Sequence, residues 1–341
     1  MSCVDQSEVP SREQLVALSP YQAPLDRRAA WQVGSTFGLY LLLLVVTYAS
    51  ARVSALLTLG LSLSAAGLIV RIFMLQHDCG HNSLFRSARI NHLVGMACSV
   101  ATLTPFAYWR RLHARHHGSW NNLDRRGVPA DFYSDCLTLD EYRLLDRKRQ
   151  WFYRVTHHAA LIHVLLPPIV FTVLYRMPFD TPSSCRTERR SVYLLNVALV
   201  LLYGTLIAIF GLRTVLLVHL PAIAASAIIG IWLFSVQHRF EESQWARTEN
   251  WTATESALHG ASHLELPAIL RWFTADIGVH HVHHLRPGIP NYRLQACHSN
   301  CSDLTGAVTT LSFADALKAP SFMLWDEISG RMVPYPRIAR A

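Results

Sequence analysis

Three short stretches carry histidines at spacings that let their imidazoles act together: His77-Asp-Cys-Gly-His81, His113-Ala-Arg-His116-His117 and His280-His281-Val-His283-His284. On a helix, residues three or four apart share a face. The first stretch therefore offers two imidazoles in one direction, and the sets His113, His116, His117 and His280, His283, His284 offer three each. His281 is one step, about 100 degrees, from His280 and points away from that face. One pair of histidines four apart is commonplace on a helix surface. Three clusters in one chain, two with the same three-histidine spacing, predict metal ligation. Eight imidazoles are too many for one ion, since even a structural zinc takes four ligands, often including thiolate. Imidazole suits Zn, Cu, Fe and Ni, and two ions with four or five nitrogens each keep positions open for a small molecule. His238, in Val-Gln-His238-Arg-Phe-Glu241, is the candidate for a ninth ligand. His219, in the middle of an apolar run, is expected to hydrogen-bond across helices instead. His157, His158, His163, His259, His263 and His298 lack the spacing and are expected at the surface or the membrane interface. Cys297 and Cys301 flank His298 and read as incidental thiols of a tail helix.

The elements that must bring these clusters together are read from the apolar runs. Of 341 residues, 51% are hydrophobic and 16% charged, against about 25% charged in soluble domains. Six uncharged windows stand out: Ala29 to Ala51, Val53 to Val70, His92 to Trp109, Val155 to Tyr175, Ser191 to Leu212 and Thr214 to Gln237. A span needs about 20 apolar residues. Only Arg52 separates the first pair and only Arg213 the last, so each pair reads as a helical hairpin with a tight extracytoplasmic turn. His92 to Trp109 is short and ends in Thr104 and Pro105, and Val155 to Tyr175 carries three histidines and is interrupted by Pro167 and Pro168. Proline kinks a helix interior, so both are expected to lie in the interface or re-enter it. The basic segments between them then fall on one side, which the positive-inside rule makes cytoplasmic, together with both termini.

The expected fold is an all-α, multi-pass integral membrane protein: four transmembrane helices in two hairpins, interfacial helices and a cytoplasmic histidine-rich cap. Its boundaries are a cytoplasmic segment 1–28, a first hairpin 29–76, an interfacial region 77–190 with two histidine clusters, a second hairpin 191–237 and a cap 238–341. The net charge of +8 belongs to loops at a membrane surface, not to a soluble nucleic-acid-binding face. Seven scattered cysteines give no disulfide framework and point to a reducing compartment. The acidic and basic residues before the first apolar run are not those of a cleavable signal peptide.

The three histidine boxes, their order and their place relative to two hairpins resemble the membrane-bound fatty acid desaturases from about Leu75 to Arg293, within one domain of about residues 70–310. Gln76-His-Asp-Cys-Gly-His81, His113 to His117 followed by Asn122-Leu-Asp-Arg-Arg-Gly127, Trp232 to His238, and Gly278-Val-His-His-Val-His-His-Leu285 ending in Ile289-Pro-Asn-Tyr292 are closest to the delta-12 and omega-type acyl desaturases. The three residues inside the first box distinguish it from acyl-CoA delta-9 desaturases and alkane hydroxylases, which typically have four. The resemblance implies two iron ions held by His77, His81, His113, His116, His117, His280, His283 and His284, with His238 matching an additional ligand. It implies dioxygen as co-substrate, an external electron donor, and a cis double bond placed in an acyl chain carried by a membrane lipid or thioester, in a bacterial inner membrane. The chain departs from the usual pattern at Gly118 to Asn122 and at Val128 to Leu137, which bears on regiochemistry rather than on the metal centre.

Metal-bound imidazoles usually need a partner for their other nitrogen, and Asp78, Asp124 and Glu241 are expected to supply it. No dinucleotide fingerprint or iron–sulfur spacing is present, so a ferredoxin or small cytochrome is the expected donor, steered by the basic face. A hydroxylase, acetylenase or carotenoid ketolase would use the same centre, and a metal-binding pseudoenzyme would keep it without turnover.

Overall fold

A computed structural model describes residues 15–127, 133, 135–302 and 308–336. Part of the unusual stretch at Val128 to Leu137 lies outside the described residues, as do both termini. Helix α1 (Asp26–Ser50) and helix α2 (Ala55–Gly80) form the first hairpin. The Ser54 hydroxyl accepts from the Leu57 backbone N–H and caps α2, satisfying a donor the first helical turn leaves open. Helix α2 does not stop at Arg71. It runs on to carry His77 and, at its end, presents His81.

Helices α3 (Ala88–Thr102) and α4 (Phe106–Ser119) are bent by 99° at a short break, where Leu103 is left-handed (φ 56°) and Pro105 stands just before the first turn of α4. Their junction is tied to α2: Thr102 Oγ1 donates to Gln76 Oε1 at 2.6 Å and Gln76 Nε2 donates to the Thr104 carbonyl at 3.0 Å. The turn therefore sits one residue from His77. Next come helices α5 (Leu139–Leu144) and α6 (Arg147–Thr156) and, after a π-turn at Leu161–Leu165, helix α7 (Leu166–Thr172). Pro167 and Pro168 fall in the first turn of α7, where a missing N–H costs little, so the irregularity lies just before them rather than at them. The second hairpin is helix α8 (Arg186–Phe210) and helix α9 (Leu212–His238). Its break falls at Gly211, with φ +80°, not at Arg213, because glycine adopts that backbone without a Cβ clash.

Among the described residues, five helical stretches are long and apolar enough to cross a membrane: α1, α2, Arg147–Arg176, α8 and α9. The bent pair α3 and α4 would make a sixth if counted as one span. Helix α2 is the most enclosed of them, packing against α1, α3 and α9. Helices α10 (Ala253–His259), α11 (Ala268–Thr274), α12 (His280–Leu285), α13 (Asn291–Asn300) and α14 (Phe313–Lys318) build the cap.

The fold is mostly helical, as expected, with a few very short strands that the sequence did not announce. Strand β1 (Leu137–Thr138) pairs in parallel with β4 (Leu324–Asp326), itself antiparallel to β5 (Arg331–Val333), and β2 (His263–Leu264) pairs with β3 (Thr310–Leu311). Strands of two or three residues are too short to show the alternation by which a strand is recognised in sequence. They fasten the C-terminal residues to the cap, whose core gathers Val236, Phe240, Val279, Val282 and Leu294.

Candidate metal centre

The C-terminal ends of α2 and α9 meet α4 and α12, and there the nine expected imidazoles converge. They form two groups: His77, His81, His113, His117 and His283, and His116, His238, His280 and His284. Within each group the facing nitrogens all lie within 4.8 Å of one another. The boxes do not map one to each group. His113 and His117 go to the first while His116 goes to the second; His280 and His284 go to the second while His283 goes to the first. At about 100° per residue, residues i and i+4 diverge by about 40°, whereas i+3 lies about 60° to the other side. Each helix thus sends its i, i+4 pair one way and its middle histidine the other.

Nitrogen spacings fit cations. In the five-membered group His77 Nε2 to His113 Nε2 is 3.0 Å, His113 to His117 3.1 Å and His117 to His283 3.0 Å. In the four-membered group the spacings are 3.1 Å for His116 to His238, 2.9 Å for His238 to His280 and 3.1 Å for His280 to His284. Ligands at right angles on an ion with bonds of about 2.1 Å stand about 3 Å apart. A neutral imidazole nitrogen either donates or accepts, so several converging nitrogens cannot all be paired by hydrogen bonds, whereas a cation takes every lone pair. His81 Nε2 is buried and has no hydrogen-bond partner. Burial first, and repulsion from neighbouring imidazoles second, hold His113, His117, His280, His283 and His284 well below the ordinary 6.5. They are therefore neutral, the form that ligates. The donor set fits two metal ions. No third group of this kind occurs among the described residues.

Supports behind the imidazoles differ. Asp78 Oδ1 lies 3.3 Å from His77 Nδ1, and its Oδ2 accepts from Asn291 N at 2.7 Å and Asn291 Nδ2 at 2.8 Å. Asn291 Oδ1 accepts from Gln32 of α1. His238 Nδ1 instead faces the Gly260 carbonyl at 3.2 Å. Asp124 and Glu241 do not reach an imidazole, a correction to the sequence expectation. The Asp124 carboxylate accepts from Thr248 N and from Arg247 and is largely exposed, while Glu241 pairs with Arg331. Both stand at the rim, where a cationic neighbour competes for them.

Two indoles missed by the spacing argument wall the centre. Trp109 stacks on His113 with ring centres 4.6 Å apart, and Trp120 lies 4.1 Å from His238. Each is four residues from a box histidine, so helical periodicity alone would have found them. His219 bonds Tyr48 across helices, as expected. His163 and His263 are buried rather than superficial. His281 is fully buried, its Nε2 3.1 Å from His298 Nδ1.

An apolar cavity opens onto both groups. His77 and His113 of one and His116 and His280 of the other line its end, and Ile69, Phe73, Ile223 and Ile231 are among the residues lining the rest. The family model for fatty acid desaturases matches residues 50–308.

The chain belongs to the fatty acid desaturase family.

A fatty acid desaturase of Bacillus subtilis is 38% identical over 321 residues, covering 94% of this chain and 90% of that protein. An sn-1 oleoyl-lipid 12-desaturase of Picosynechococcus is 26% identical over 67% of this chain and 64% of its own length. A chloroplastic sn-2 acyl-lipid omega-3 desaturase (ferredoxin) of Helianthus annuus is 26% identical over 65% of this chain and 50% of its own. The chain thus spans less than two thirds of those last two relatives. As a desaturase it is an oxidoreductase of lipid metabolism, with histidine clusters suited to metal and several apolar helices suited to a membrane.

Proposed function

We propose that the chain is a dioxygen-dependent acyl-lipid desaturase of the delta-12 or omega type, with two iron ions held by the five- and four-imidazole groups. The observation that carries this is the cavity: apolar walls suited to an acyl chain and an end made of imidazoles from both groups. Iron held by these imidazoles would supply the means to activate dioxygen for removal of two hydrogens from neighbouring methylenes, with two electrons and two protons from a donor completing its reduction to water. The chain's own part is position and dryness. Asp78 and the Gly260 carbonyl fix two imidazoles, Trp109 and Trp120 exclude water, and the cavity walls hold the acyl chain. The name of the Picosynechococcus relative favours an acyl group esterified in a lipid, and the name of the Helianthus annuus relative favours a ferredoxin as donor.

Four spans, α1, α2, α8 and α9, fit this reading best, with boxes and cap on the cytoplasmic side of a bacterial inner membrane. The ends of α2 and α9 meet at one centre, so the number of crossings between them is even. The α3–α4 turn is tied beside His77, and Arg176 donates to the Leu103 carbonyl in that same turn and pairs with Asn196 of α8. The segment Arg147–Arg176 therefore ends where α3 and α4 do, as a re-entrant piece would.

The fatty acid profile of a host expressing the chain tests the proposal. A new dienoic acid, absent with His116→Ala, supports it. Hydroxy or keto lipids would move the reading to a hydroxylase or ketolase, and no new lipid from a metal-loaded, reduced protein would favour a pseudoenzyme. If turnover with reduced ferredoxin does not slow at high salt, charge-steered docking is excluded.

A further inference from the structure

Glycines of the apolar helices divide by what a side chain would meet. At Gly67, Gly80 and Gly95 a Cβ would run into the rings of Phe273, Trp109 and Phe106, so packing requires the absence of a side chain. Gly230, in the interior of α9, is different: a Cβ there meets nothing within 4 Å, and its backbone is ordinary helix. Glycine weakens a helix interior relative to alanine, and neither packing nor backbone geometry calls for it at this position. What lies beside Gly230 is the cavity that ends at the imidazoles.

Along α9 the cavity lining runs from Ile223 to Gln237, about 20 Å at 1.5 Å per residue. That is somewhat more than the roughly 15 Å that half the hydrocarbon core of a bilayer gives an acyl chain. Gly230 lies about 12 Å along the axis from His238, part-way down this length. A side chain at position 230 would occupy space needed by the portion of an acyl chain beyond it, and would leave the imidazole end untouched.

We propose that Gly230 is a specificity-determining residue that keeps the cavity open to long acyl chains. This rests on the reading of the cavity as an acyl-chain site. Narrowing the cavity at position 230 rejects chains long enough to pass it more strongly than chains that end before it. One methylene in an apolar pocket is worth about tenfold or more in discrimination, so Gly230→Leu lowers the ratio of long-chain to short-chain product by at least about tenfold, and Gly230→Ala lowers it less.

The test compares product ratios from oleoyl and myristoleoyl lipids for the parent, Gly230→Ala, Gly230→Leu and Gly204→Leu. Gly204 is a glycine of α8 with equally open surroundings, outside the cavity lining. A fall in the ratio for Gly230→Leu with no change for Gly204→Leu is the expected result; an unchanged ratio in a folded, metal-loaded Gly230→Leu protein overturns it. Binding gives a readout independent of turnover. Brominated acyl lipids should quench Trp109, which lines the same cavity, with its share of the signal identified by Trp109→Phe. Gly230→Leu should weaken quenching by the long chain about tenfold and by the short chain less, and equal quenching by both chains in parent and variant overturns the proposal. If the parent makes no desaturated product yet discriminates chain length in binding through Gly230, the proposed reaction fails while this inference stands.

Discussion

The two imidazole groups differ in number and in what stands behind them. The first has five nitrogens, and one of its histidines, His77, leans on the carboxylate of Asp78, which is itself fixed by Asn291. The second has four, and its His238 leans on a neutral carbonyl, that of Gly260. A carboxylate raises the basicity of the ligand it orients more than a carbonyl does. Two ions held by these groups, which share helices α4 and α12, would therefore sit in unlike surroundings, one with a spare imidazole and a charged prop, the other with neither.

Removing one ligand from each group is the strongest way to break this comparison. His284→Ala leaves three imidazoles in the second group and should cost about one ion per chain together with desaturation, a loss of more than about 100-fold, since disturbing even the residues behind ligands costs 10–100-fold. His81→Ala leaves four in the first group and should retain more metal, read by elemental analysis. Equal losses from the two variants would remove the asymmetry. Next in size, Asp78→Asn should weaken metal binding about 10–100-fold at the first group alone, seen as one ion leaving to a chelator faster than the other. Asn291→Ala removes one hydrogen bond to the Asp78 carboxylate but leaves the backbone bond. The Asp78 carboxylate and its backbone bond stay in place beside His77, so a smaller shift in the same release rate is expected.

The mildest test is pH on the metal-free protein. Burial lowers the folded values of His113, His117, His280, His283 and His284 below the unfolded value of 6.5, so below that value the unfolded chain binds more protons than the folded one. Stability is then intact above about pH 6.5 and falls as pH drops through it. Thermal melts at decreasing pH should show a declining midpoint that bound metal opposes; a flat midpoint would mean the imidazoles are not held neutral.

The converging imidazoles were legible in the sequence, because helical spacing is local: every box histidine named from it, and His238 besides, falls in one candidate metal group or the other. The division between groups follows from the same spacing, since i and i+4 turn one way and i+3 the other, but which helices complete each group depends on where α2, α9 and α12 stand. Asp124 and Glu241 turn elsewhere for a reason no local pattern carries: their partners Arg247 and Arg331 are 123 and 90 residues away in the chain. Asn291 stood in a motif that was noticed, but its contact with Asp78 spans 213 residues. The paired apolar windows gave the hairpins directly, while the return of α3 and α4 beside Gln76 depends on side-chain hydrogen bonds that no hydropathy pattern encodes.

The exchange of histidines between boxes also bears on biosynthesis. Neither group is complete until α12 is in place, because His283 closes one and His280 and His284 the other. His77 precedes His284 by about 200 residues, and at roughly 5–20 residues per second of synthesis the first box waits some 10–40 s for its last partners. During that wait the first hairpin carries only two of the nine imidazoles, so lasting occupancy by a bound metal would belong to the end of translation, and a chain truncated before α12 is expected to lose metal that the full chain keeps.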